Sequence, residues 1–122
     1  MNVMLLLGSV NMAVSVILGA FGAHALKKKL TADMLTVYQT GVQYHMIHAL
    51  GLLIVGLIAN SAPISPLVNI TGWLLLVGII LFSGSLYALS LTGIRKLGAI
   101  TPLGGLAFVA GWIVLAVAFI QG

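Results

Sequence analysis

GAFGAHALKKK, residues 19–29, passes from small apolar residues through one histidine into three consecutive lysines. A run of apolar residues that ends on a cationic cluster reads as a membrane span stopped at an interface, because moving lysine into hydrocarbon costs several kcal/mol. The composition around it agrees. Of 122 residues, 61% are hydrophobic and 5% charged, and the mean hydropathy is +1.26. A soluble surface needs about a quarter of its residues charged, so the chain belongs in a bilayer. Its length suffices for about four spans of about 20 residues each, which leaves no room for a soluble domain. The fold expected is all-α, an integral membrane four-helix bundle in one domain, since lipid tolerates no open sheet edge.

The spans follow outward from the lysines. Span one covers about residues 3–25, and its apolar start lacks the basic flank and cleavage site of a signal peptide, so it reads as a retained span. Thr31 is an N-cap with Asp33 in the first turn. The helix it opens is expected to lie in the interface over about residues 31–40 and to cross as span two over about 41–59. Asn60 to Pro66 (NSAPISP) is a turn. Ser65-Pro66 opens span three, about 66–91, and Thr101-Pro102 repeats the cap-and-proline pattern to open span four, about 102–121. All five basic residues, Lys27, Lys28, Lys29, Arg95 and Lys96, follow spans one and three. They set the topology: basic loops in the cytoplasm and both termini outside. A net charge of +4 spread over two loops does not point to nucleic acid.

Small residues locate the packing faces. Projected at about 100° per residue, Gly8, Asn11, Ser15, Gly19 and Gly22 share one stripe of span one, while Ser9, Ala13, Ala20 and His24 share a second. Two such faces call for two neighbours, which predicts a homo-oligomer or a place in a larger membrane complex. Gly104, Ala107 and Gly111 form the packing face of span four.

Polar side chains gather at the basic end. Tyr38, Tyr44, His45 and His48 lie on one face of span two, and His24, Ser83, Tyr87 and Thr101 end or start the other spans at the same level. Ionisable side chains at that depth mark a site facing the bundle interior. The histidines have two readings, which the sequence leaves open. His45 and His48, at i and i+3, can hold a metal with His24 as third ligand, or can stay neutral and hydrogen-bond to the next helix. With Asp33 the one acid and no cysteine, no carboxylate can carry a coupled proton within a span. Hydrolytic and phosphoryl-transfer machinery is equally absent from the sequence.

Four blocks, GAFGAHAL at 19–26, YQTGVQYHMIHAL at 38–50, FSGSLYAL at 82–89 and GAITPLGGLAFVAGW at 98–112, resemble the YwdK-like family of small bacterial membrane proteins, catalogued as a domain of unknown function. The resemblance implies a four-span plasma-membrane protein and supplies no activity, cofactor or catalytic residue. Three functions are therefore carried forward. The first is a non-enzymatic protein that binds a small ligand, lipid or metal in the polar pocket or forms a permeation path. The second is a structural subunit of a membrane complex. The third is a quinone or haem redox protein built on histidine and tyrosine. No cofactor is expected on the first two.

Overall fold

The computed structural model describes residues 2–61 and 65–121. Helix α1 (Val3–Phe21) begins where Asn2 turns out of the helix and its side-chain oxygen accepts the Leu5 N–H at 3.2 Å. It runs on through a π-helical turn, Gly22–Leu26, to the lysines. Helix α2 (Ala32–Ser61) starts at Thr31, whose hydroxyl accepts the Met34 N–H at 3.2 Å, with Asp33 in the first turn. The expected interfacial run 31–40 and span two are one unbroken helix of 30 residues. At 1.5 Å per residue it is about 45 Å long, against a hydrocarbon core of about 30 Å.

Part of the turn expected at 60–66 lies outside the described residues, but Ser65 does what a cap requires: its hydroxyl accepts the Leu67 N–H at 3.2 Å. Helix α3 (Leu67–Gly78), a π turn (Ile79–Ser83) and helix α4 (Gly84–Thr92) form the continuous third span. It ends at Gly93, whose φ of +74° is the left-handed geometry that glycine adopts without cost at a helix stop. After a short 3₁₀ turn, Arg95–Ala99, helix α5 (Thr101–Gln121) forms the fourth. Thr101 corrects one expectation. Its hydroxyl lies 2.5 Å from that of Ser85, and because Ser85 already donates to the Phe82 carbonyl, Thr101 is the donor, tying α5 to α4. No strand occurs among the described residues. The protein is an all-α membrane protein with four helices long and apolar enough to cross a bilayer.

Helix α1 packs along α2, α2 also along α3 and α4, and α5 along α3 and the π turn. One apolar cluster, with Met4, Leu52, Val55, Leu75, Ile79, Phe108 and Leu115, fills the half of the bundle away from the lysines. A smaller one, Leu26, Tyr38 and Val42, lies near them. The first small-residue stripe of α1 faces α2: Ser15 is fully buried, and Cβ atoms on Gly8, Gly19 and Gly22 would meet Leu53, Val42 and Tyr38. On α5, Gly104 and Gly111 are buried against Phe82 and Leu75, with Ala107 half-buried beside them. The second α1 stripe is different. Ser9, Ala13, Ala20 and His24 are all exposed, so within one chain α1 uses a single packing face.

Candidate functional site

Helix α2 presents its two buried histidines to opposite neighbours, and each is held by a directed set of hydrogen bonds. His45 Nε2 lies 2.9 Å from Asn11 Oδ1 on α1, and Nδ1 lies 2.9 Å from the Tyr87 hydroxyl on α4. The Asn11 amide nitrogen donates to the Leu7 carbonyl at 2.9 Å, which leaves Oδ1 as acceptor. His45 therefore carries its proton on Nε2 and accepts from the Tyr87 O–H on Nδ1. One polar chain, Tyr87 to His45 to Asn11 to the Leu7 carbonyl, joins α4, α2 and α1.

His48 has the other tautomer. The Trp112 indole N–H, which can only donate, points at His48 Nε2 at 3.1 Å, so the proton sits on Nδ1 and goes to the Tyr44 carbonyl at 2.7 Å. The ring also lies flat on Phe108, with centroids 3.5 Å apart and planes inclined by 8°. With Tyr44 and Phe82 stacked or tilted against the same group, five rings bridge α2 and α5.

The remaining candidates bind helix to helix. Tyr38, buried, donates its hydroxyl to the Leu18 carbonyl of α1 at 2.5 Å, and Ser83 donates to the Gly41 carbonyl of α2 at 2.8 Å. Every buried side-chain nitrogen and oxygen among the described residues has a partner. His24 is not brought to this group; it is exposed in the π-helical turn that follows α1. The set His24, His45 and His48 is consequently not assembled as metal ligands, and among the described residues no cluster of three His, Cys, Asp or Glu side chains could hold an ion. The physical reason is engagement. Both ring nitrogens of His45 and of His48 are committed to helix contacts.

What the geometry leaves open is a lateral groove between α2 and α5, about 810 Å³ in volume, walled by Tyr44, Phe82, Phe108 and Trp112, with His48 at its floor and Gln43 at its rim. Tyr44 and Trp112 are 38% and 37% exposed, so both rings are shared between the bundle and the groove. Sequence reading missed Gln43, Phe82, Phe108 and Trp112. The signal was present, since Gly104, Phe108, Gly111 and Leu115 form the buried seam of α5 and Trp112 stands one turn beyond Phe108.

Comparison with known proteins places this architecture. The family model described as protein of unknown function (DUF423) matches residues 18–105, which include His45, His48, Phe82 and Tyr87 and stop short of Phe108 and Trp112. The chain belongs to the DUF423 family. It is 52% identical to the UPF0382 membrane protein YwdK of Bacillus subtilis over 99% of this chain and 98% of that one. It is 50% identical to UPF0382 membrane protein SSP2132 of Staphylococcus saprophyticus over 96% of each chain, and 48% identical to a UPF0382 membrane protein of Staphylococcus epidermidis. No solved structure matches.

Proposed function

We propose that this DUF423 protein is a non-catalytic plasma-membrane protein that holds one amphiphilic molecule, a lipid or lipid-like compound, in the groove between α2 and α5. The supporting observation is the groove of about 810 Å³, within the size range of small-molecule sites. Its walls are aromatic and its polar groups are few and uncharged, the Gln43 amide and the Tyr44 hydroxyl, which suits an apolar body with a hydrogen-bonding head. Its margins carry Ile47, Leu106 and Val109, 49%, 66% and 55% exposed, so an occupant arrives from the hydrocarbon. A lateral groove, and not a path through the bundle, is the better supported use, because the buried polar groups are spent on one another. The orientation that accompanies this reading has the basic loops in the cytoplasm and both termini outside.

Trp112 makes the binding readable. In a Trp73→Phe background it is the sole tryptophan. Phospholipid brominated in its acyl chains should quench it in nanodiscs along a saturable curve. Quenching that rises linearly with bromolipid content, with no saturation, would mean contact with bulk lipid alone and would defeat the proposal.

A second reading, self-association, is favoured by the exposed α1 stripe Ser9, Ala13 and Ala20, whose small side chains let a second copy of the helix approach closely. Because the chain has no cysteine, Ala13→Cys supplies a single thiol. Oxidation in the membrane should yield a covalent dimer from Ala13→Cys and little from Val14→Cys, which is exposed on a different side of α1. Equal yields from both would set this reading aside.

A further inference from the structure

We infer that the end of the bundle remote from the lysines carries a second site, one that takes an uncharged sugar ring. The inference is independent of the α2–α5 groove and shares no residue with it. The N-terminus of α1, the C-terminal end of α2 and the start of α3 flank an open pocket of about 420 Å³ lined by Asn2, Asn60, Asn69 and Trp73 together with Val3 and Met4. Three carboxamides from three helices therefore converge beside one indole that is 50% exposed.

The chemistry of that lining selects its ligand. Each carboxamide offers a donor and an acceptor side by side, the pattern that matches vicinal hydroxyls. The Asn2 oxygen is already used to accept the Leu5 N–H at 3.2 Å, so Asn2 contributes its NH₂ as donor. Asn60 and Asn69 are exposed. An indole face beside them provides the flat apolar surface on which the C–H face of a sugar ring rests. Charge argues by its position: all five Lys and Arg side chains and the one acid lie at the opposite end of the spans. A charged ligand would find no Lys or Arg side chain here to pair with, whereas a neutral polyol requires none. An indole serving only as an interfacial anchor has no use for three amides around it.

A sugar ring reaches this end either as the headgroup of a membrane glycolipid or free in solution, and one experiment separates the two. Full-length protein in a Trp112→Phe background, prepared in a detergent without a sugar head, is placed in phosphatidylglycerol nanodiscs so that Trp73 reports alone. Diglucosyl diacylglycerol replacing part of the lipid should produce a saturable change in Trp73 emission, and Asn60→Ala with Asn69→Ala should raise the half-saturation by roughly tenfold, the loss expected from about 1.4 kcal/mol of hydrogen bonding. Response to the glycolipid but not to free maltose assigns the lipid headgroup, and response to maltose in plain nanodiscs assigns free sugar. Both support the site. No saturable response to either sugar, or one unaffected by the two asparagine substitutions, overturns it. The Trp112 signal in the Trp73→Phe background shows that the asparagine variants are folded and tests the α2–α5 groove separately.

Discussion

Gly104→Ala should lower the stability of the detergent-solubilised protein by about 2 to 3 kcal/mol, at the upper end of what overpacking a close contact costs, while Gly105→Ala next to it should be neutral or stabilising. The two glycines occupy the same turn of α5 and differ in what a methyl group would meet. At Gly104 it would drive into the backbone nitrogen of Phe82, with the Phe82 Cα and Cβ both at 2.7 Å. Backbone inside a helix cannot swing aside as a side chain can. The whole first turn of α5 would have to retreat from the π turn, taking with it the Thr101–Ser85 hydrogen bond and the Phe82–Phe108 contact that shape the groove. At Gly105 the nearest atoms are Phe82 ring carbons at 3.8 and 3.9 Å, an ordinary contact. Replacing glycine by alanine there gains up to about 1 kcal/mol from helix propensity. Reversible unfolding in mixed micelles measures both, and equal destabilisation by the two variants would contradict the close approach of α5 to Phe82.

His45→Leu is the second large effect expected, a loss of about 2 to 4 kcal/mol. The substitution leaves the Tyr87 hydroxyl and the Asn11 carbonyl oxygen facing an apolar side chain, and each unsatisfied buried group costs about 1 to 3 kcal/mol. The lower part of the range allows for the weaker hydrogen-bond energies measured within membranes, which average about 0.6 kcal/mol. The architecture makes a sharper statement through a cycle. Tyr87→Phe alone removes the donor to His45 Nδ1, but in the His45→Leu background that donor has no acceptor to lose. The second substitution should then be nearly silent, giving a coupling energy of about 1 kcal/mol. Additive losses would show that His45 and Tyr87 do not depend on each other, and the α1–α2–α4 polar chain would fall with that result.

These two predictions also mark where sequence reading stops. Span number, the Thr31 and Ser65 caps and the first small-residue stripe of α1 were legible because each rests on local chemistry or on the period of one helix. Asn11 was legible as an interface residue and not as the acceptor for His45, since that pairing depends on how far α1 is rotated about its axis. His24 was grouped with His45 and His48 by depth, yet depth does not say which way a side chain faces, and His24 faces out. The groove was hidden for a related reason. Tyr44 and His48 are read from α2 alone, whereas Phe82, Phe108 and Trp112 come from two other spans, and only the packing of α5 on the π turn brings them together. Thr101 shows the reverse failure: a local capping signal was overridden by a tertiary partner, Ser85.

The groove itself is tested most directly by weighing the protein. Native mass spectrometry of the wild type released from nanodiscs of native membrane lipid should show one retained amphiphile per chain. Gly105→Leu, which projects a larger side chain into the groove from a position with room for it, should be released without that mass and otherwise intact. Identical adducts on both proteins, or none on the wild type, would contradict a groove that holds a ligand.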